Sequence, residues 1–137
     1  MPIVVEAMEE QDYRNWLAEK KAEAAEIAEM NKLQLSMEEM FARGEDVYNK
    51  QCAACHAVDG KGGIGPSMIG TVVTTGDMRT HMDVIVNGVP GTAMQAFGNQ
   101  LSELDLAAVV TYERNAWGNN MGDMVQAVDV LNFKKTN

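Results

Sequence analysis

Both cysteines of the chain lie in one short run, Cys52-Ala53-Ala54-Cys55-His56. Two thiols and an imidazole at Cys-x-x-Cys-His spacing form the attachment signature of c-type haem. Two cysteines about one helical turn apart suit thioether bonds to the vinyl groups of neighbouring pyrrole rings. The histidine one residue on is then aimed at the iron. Three other chemistries fit the run less well. A redox dithiol belongs between a strand and a helix of an alternating β/α pattern, and the pattern around Cys52 is helical. Structural zinc requires four ligands, and outside the run only His81 is a usual partner. A disulfide between residues this close encloses a small loop and stabilises little.

Haem iron that only shuttles electrons needs a second axial ligand, and the downstream candidates are methionines or His81. Met78 and Met82 fall on a predicted helix, where methionine is more often core filling. Met94 lies in an irregular segment after Pro90 and Gly91, where the backbone is free to carry a thioether to a metal. His81 is the rival, although a lone histidine on a helix is usually exposed or a satisfied core group. A thioether ligand also raises the reduction potential.

These residues need elements to position them. "SMEE" at Ser36 is a capping box, and behind it Met37, Met40, Phe41, Gly44, Val47 and Tyr48 form one helical face leading into Cys52. Gly44 interrupts that face, which predicts a close backbone crossing. Residues 57–76 hold six glycines and one proline and read as an irregular loop. A third helix is predicted from Asp77 to Asn87, stopped by Asn87-Gly88. The last, from Ser102 to about Trp117, is apolar on more than one side and should pack against two neighbours. Upstream, Ile3 to Ala7 reads as a short strand, and the alanine-, glutamate- and lysine-rich run from Trp16 to Lys32 reads as a semi-rigid helical spacer. The segment after Gly118 is polar except for an apolar patch from Val125 to Phe133.

At 137 residues there is room for one core. The net charge of −9 argues against a nucleic-acid partner. It is divided evenly along the chain, which describes a solvated acidic surface or one that receives a basic partner protein. The opening "MPIVVEAMEE" is too short for a signal-peptide core, and no later segment reaches a membrane-spanning length. A c-type haem is attached on the exported side of bacterial membranes. A leader removed upstream, or a longer parent chain, is therefore expected.

Residues 37–117 resemble a class I cytochrome c domain, through "GEDVYNKQCAACH", the loop "GIGPSM", the methionine loop and the helix ending "AAVVTYERNAW". The resemblance implies an all-α fold around one covalent haem c, preceded by a helical linker. Cys52 and Cys55 would hold the ring, His56 would be the proximal ligand and Met94 the distal one. The Pro66 carbonyl would accept a hydrogen bond from the far ring nitrogen of His56. Gly44 and Tyr48 would cross the last helix near Tyr112.

A narrower resemblance covers most of the chain. "GTAMQAFGNQLSELDLAAVVTYERNAWGNN" is similar to the C-terminal haem domain fused to subunit II of caa3-type cytochrome c oxidases, and "MPIVVEAM" to the end of that subunit's copper domain. It implies a division into a copper-domain remnant (1–16), a helical linker (17–35), the cytochrome c domain (36–117) and a tail (118–137). No copper site is expected, because the other ligands of that centre are missing. The implied role is electron transfer, not catalysis by the domain itself. Electrons would pass from a donor protein, whose face could be basic, to the dinuclear copper of the parent subunit. The domain would lie on the periplasmic side of the inner membrane and meet the membrane only through the parent complex. A free-standing periplasmic cytochrome c is the alternative.

Overall fold

The computed structural model describes residues 7–136. Most of the expected strand from Ile3 to Ala7 falls outside them. The described residues form six helices and no strand: α1 (Glu10–Lys32), α2 (Met37–Gln51), α3 (Ala53–His56), α4 (Met78–Asn87), α5 (Glu103–Asn115) and α6 (Ala127–Lys135). The all-α fold class expected from sequence is the fold observed.

Side chains fix the starts of α2, α4 and α5, and at the start of α6 Asp129 accepts from Gln126 N at 2.8 Å. Ser36 and Glu39 close a reciprocal capping box on α2, the Asp77 carboxylate accepts from Thr80 N at 2.9 Å to start α4, and Ser102 Oγ accepts from Asp105 N at 3.1 Å to start α5. Each satisfies a backbone N–H that has no partner inside its helix. α4 begins one residue later than expected, because Asp77 is the cap and not the first helical residue.

The α2–α5 crossing is the centre of the fold. Met40, Gly44, Val47 and Tyr48 are the buried face of α2. At Gly44 the helices come so close that a Cβ would lie 2.1 Å from the Ala108 carbonyl oxygen and 2.6 Å from Tyr112 Cβ. The glycine thus exchanges helix propensity for a backbone contact that no other residue permits. Around it, the Phe41 and Tyr112 rings lie 4.9 Å apart, Tyr48 and Tyr112 5.5 Å, and Tyr48 and Trp117 4.8 Å. Centroid spacings of this size are those at which tilted aromatic rings attract.

α5 is buried from Leu106 to Arg114, because α2 covers one side while α4 and α6 cover others. The segment set apart as a tail belongs to this core: Val125, Val130 and Phe133 are all buried. Polar side chains stitch it down. Thr111 Oγ1 accepts from Val125 N at 3.0 Å, Gln126 Nε2 donates to the Leu35 carbonyl at 3.1 Å, and Lys134 Nζ reaches Glu103 at 2.8 Å. α1 differs, having no buried residue. It rests on α6, where Lys135 Nζ meets Glu26 at 2.8 Å. It is one continuous helix across residues 16 and 17, where the sequence division placed a boundary. No helix among the described residues is long and apolar enough to cross a membrane.

Candidate functional site

Cys52 ends α2, its N–H still bonded to the Tyr48 carbonyl at 2.8 Å, and α3 carries Cys55 and His56 in a single turn. The thiols are free, Cys52 half-buried and Cys55 exposed. Burial pushes the Cys52 thiol up to about 12, with the nearby negative charge of Glu113 and then Cys55 adding to it. Dithiol oxidoreductases work with strongly lowered thiol pKa values, so this environment suits a sulfur that becomes a neutral thioether.

Ala57 stops α3 by turning to φ 62° and ψ 151°, an extended positive-φ conformation that essentially only glycine adopts. An alanine there costs about 1–3 kcal/mol, and neighbouring contacts hold it in place. Tyr48 Oη donates to the Ala57 carbonyl at 2.8 Å, and Trp117 Nε1 donates to the next carbonyl, Val58, at 3.2 Å. Burial pushes the Tyr48 phenol up, keeping it neutral and able to donate. The aromatic cluster at the α2–α5 crossing therefore also fixes the exit from the CAACH turn.

The glycine-rich loop then returns to His56. Gly65 N donates to the Cys55 carbonyl at 2.8 Å, Gly62 N to the His56 carbonyl at 3.0 Å, and Met68 N to the Gly60 carbonyl at 2.8 Å. Gly65 lies against the imidazole, where a Cβ would come within 2.7 Å of Cε1. Pro66 follows, and its carbonyl lies 2.8 Å from His56 Nδ1. That contact sets Nδ1 as the protonated nitrogen and leaves the Nε2 lone pair for a metal, the arrangement by which a second neighbour orients a metal-ligating histidine.

Met94 lies between α4 and α5, half-buried against the core. Its backbone is held on both sides. The Met94 carbonyl accepts from Val89 N at 3.0 Å, and Met94 N donates at 3.1 Å to Thr92 Oγ1, which itself donates to the Val89 carbonyl at 2.8 Å. Gly88 permits this crossing, since a Cβ there would stand 2.7 Å from the Met94 carbonyl oxygen.

His81, the rival ligand, is engaged elsewhere: it is buried, with Nε2 2.8 Å from Glu113 Oε2. Met82 is buried, and Met78 and Met68 pack against the core. Sequence reasoning did not find Asn119. Its side-chain amide donates to the Met68 and Glu113 carbonyls at 3.0 and 2.7 Å, and its oxygen accepts from Gly70 N at 2.7 Å, so it clamps the glycine-rich loop to the end of α5. The only signal was a polar "GNN" after an apolar helix.

The residues present fit haem c. One imidazole and one thioether are suitable axial donors, and a pair of thiols stands next to the imidazole. The surrounding loops leave Val58, Ile64 and Val72 exposed, at 66%, 85% and 87% of their surface, apolar material suited to the edge of a macrocycle. Among the described residues no three His, Cys, Asp or Glu side chains gather as a metal-binding group, so a structural zinc has no cage here. A groove of about 690 Å³ on α2, lined by Met37, Phe41, Glu45 and Asn115 among others, includes none of the candidate residues.

Helical fold and CAACH turn together define a class I cytochrome c domain. The comparison with protein families agrees. Residues 39–112, more than half of the chain, match the family described as cytochrome c oxidase, cbb3-type, subunit III, and the chain belongs to that cytochrome c family. Among curated proteins it is 36% identical over 105 residues to the cytochrome c subunit of a quinone alcohol dehydrogenase of Gluconobacter oxydans, covering 68% of this chain and 22% of that protein. It is 34% identical over 110 residues to the gluconate 2-dehydrogenase cytochrome c subunit of Pantoea cypripedii, covering 67% of this chain and 24% of the relative. The cbb3-type cytochrome c oxidase subunit CcoP of Azospirillum brasilense is 30% identical over 84 residues, 56% of this chain and 28% of that subunit. The chain thus spans about a quarter of the length of these relatives, which are cytochrome subunits of dehydrogenases and of an oxidase.

Proposed function

We propose that the chain is a one-electron carrier domain holding a single covalent haem c. Cys52 and Cys55 supply the thioether sulfurs, His56 the proximal nitrogen and Met94 the distal sulfur. The observation that carries this reading is the CAACH turn with His56 Nδ1 engaged by the Pro66 carbonyl at 2.8 Å, leaving Nε2 free. Haem c bound there would supply an iron that cycles between ferric and ferrous. The protein's part is orientation and shielding. Pro66 and Gly65 fix the imidazole plane, Thr92 and Gly88 place the Met94 backbone, and the α2–α5 aromatic cluster excludes water behind the turn. With both His56 and Met94 as ligands, a bound haem iron would have no position left for a substrate, which suits an electron carrier and not an enzyme.

The finer reading is that of the C-terminal haem domain of a caa3-type oxidase subunit II on the periplasmic side of the inner membrane. There it would receive electrons from a donor protein and pass them to the dinuclear copper of the same subunit. Its support is the resemblance of "MPIVVEAM" and "GTAMQAFGNQLSELDLAAVVTYERNAWGNN" to that subunit. The helical spacer α1, which buries none of its residues, suits a domain tethered beside a partner domain. A second reading, a haem domain of a dehydrogenase cytochrome subunit, is favoured by the relatives of that kind.

The test is production with the c-type maturation machinery, followed by mass spectrometry and stopped-flow mixing of the ferrous domain with an isolated dinuclear-copper domain. One covalent haem, absent from Cys52→Ala/Cys55→Ala, with rapid electron transfer to the copper domain is the expected result. A haemless product would end the carrier reading. A loaded domain that reduces the copper domain no faster than an unrelated cytochrome c would end the subunit II reading alone.

A further inference from the structure

The most unusual charges in the domain are not in the CAACH turn. Among the described residues, the acidic and basic side chains buried to nine-tenths or more are His56, His81, Glu113 and Arg114. His56 is accounted for above. Arg114 is neutralised by Asp123, through bonds of 2.8 and 2.7 Å, and also donates to the Gly76 carbonyl at 3.0 Å. His81 of α4 and Glu113 of α5 are left as a pair, 1% and 2% exposed and 2.8 Å apart. Nδ1 of His81 has no hydrogen-bond partner at all.

The pair holds either one proton or two between imidazole and carboxylate. With one, on Nε2 and donated to Glu113, the pair has a net charge of −1 and His81 Nδ1 is a bare lone pair. With two, the pair is neutral overall, but an N–H at Nδ1 faces no acceptor. The first state places an unbalanced charge in a low-dielectric interior, and the second leaves a buried donor unsatisfied. Both states carry a penalty, so a nearby change of charge can decide between them.

A chain of contacts joins the pair to the CAACH turn. Tyr112, next to Glu113, packs its ring tilted against Tyr48, whose hydroxyl holds the carbonyl of the residue after His56. Asn119 bridges the Glu113 backbone carbonyl to Met68, in the loop that follows Pro66. The charge of Glu113 is felt at Cys52 and at Tyr48.

The charged groups on the packed elements are otherwise committed or exposed. On α4, Asp77 caps Thr80, and Arg79 and Asp83 are exposed. On α6, Asp129 caps Gln126, Lys134 holds Glu103 and Lys135 holds Glu26. On α2, Glu39 caps with Ser36, Arg43 pairs with Asp105 and Lys50 with Asp46, Glu38 and Glu45 are exposed, and burial holds the Tyr48 phenol neutral.

We propose that the buried His81–Glu113 pair is a redox-linked proton-binding site, so that the domain takes up a proton from solvent when it accepts an electron. The inference rests on the haem carrier reading. Reduction of a haem iron held at His56 by a donor protein would remove one positive charge from the domain. The loss raises the pair's proton affinity, and one proton from solvent compensates part of the added negative charge. Oxidation by the acceptor returns both. In linkage terms the ferrous protein binds more protons than the ferric one, so the reduction potential falls as pH rises between the two proton affinities. The limiting slope is a tenfold change in the reduction equilibrium per tenfold change in proton activity, or about 59 mV for a one-electron couple.

The experiment is redox titration of the haem-loaded protein from about pH 5 to 9, the range in which an imidazole ordinarily changes charge. Wild type, Glu113→Gln and His81→Gln are compared. A potential that falls with pH in wild type and is flat in both variants is expected. A flat wild type, or a slope undiminished in both variants, would overturn the proposal, the latter by assigning the slope to the haem propionates. If a variant does not fold, nitrogen-15 NMR of the wild type reads His81 directly, since the chain has two histidines. The proposal expects a different His81 protonation pH in the two redox states, and equal values would refute it. A reversible haem couple without pH linkage removes this proposal alone. Failure to load haem removes the carrier reading with it.

Discussion

Replacing Gly44 with alanine tests whether the α2–α5 crossing is as close as the structure has it. The added methyl carbon would stand 2.1 Å from the Ala108 carbonyl oxygen and 2.7 Å from its carbonyl carbon. Those are backbone atoms of a helix buried on several sides, so no side-chain rotation relieves the overlap and the helices must separate. Overpacking of this kind costs about 1–3 kcal/mol, and a backbone neighbour puts it at the upper end. Alanine recovers about 1 kcal/mol of helix propensity over glycine, leaving a net loss of about 2 kcal/mol. For a domain of this size that is a drop in Tm of roughly 8 °C. The assay is thermal unfolding of the haem-loaded ferric protein followed by far-ultraviolet circular dichroism. Gly44→Val should lose more than Gly44→Ala. A Gly44→Ala protein as stable as wild type, or more so, would refute the close crossing, because propensity alone would then have decided the sign.

Thr92→Val removes the hydroxyl that holds Met94 N and the Val89 carbonyl; the sulfur-to-iron charge-transfer band should then be lost at lower pH than in wild type, and an unchanged alkaline midpoint would show that Thr92 does not position Met94. The Glu39 carboxyl is held below the ordinary carboxylate range by the Ser36 backbone N–H and then the Ser36 hydroxyl. Its capping contribution is therefore present at neutral pH and lost as pH falls below about 4, so acid titration of Tm should be less steep for Glu39→Gln; identical slopes would exclude the capping box from acid unfolding. With a net charge of −9, reduction by a basic donor protein should slow several-fold between low and high salt, and a rate indifferent to ionic strength would remove the acidic surface from recruitment.

The CAACH turn was legible because its chemistry is written in five consecutive residues, and Ser36 and Ser102 because caps act on the next three. The α2 stripe even showed its anomaly at Gly44, and the cytochrome c resemblance put the crossing near Tyr112, although only the fold reveals that the Ala108 carbonyl is the nearest obstacle. The two-sided apolarity of α5 likewise pointed to two neighbours without naming α6 as one. What could not be read depends on distant partners. The 118–137 segment looks polar because Asp123, Gln126 and Lys134 are polar, yet each is matched by a group outside the segment: Arg114 at the end of α5, and the more distant Leu35 carbonyl and Glu103. The His81–Glu113 pair joins two helices, and neither residue is unusual in its own helix. Asn119 clamps a loop about fifty residues upstream, a match that no local pattern encodes.

The central claim, a haem held between His56 and Met94, is tested most directly by optical spectra and midpoint potentials of matured wild type and Met94→Ala. A covalent haem showing the sulfur-to-iron band in ferric wild type is expected, with the band gone and the potential lowered in Met94→Ala. A wild type without that band, or a band that survives the substitution, would contradict the account.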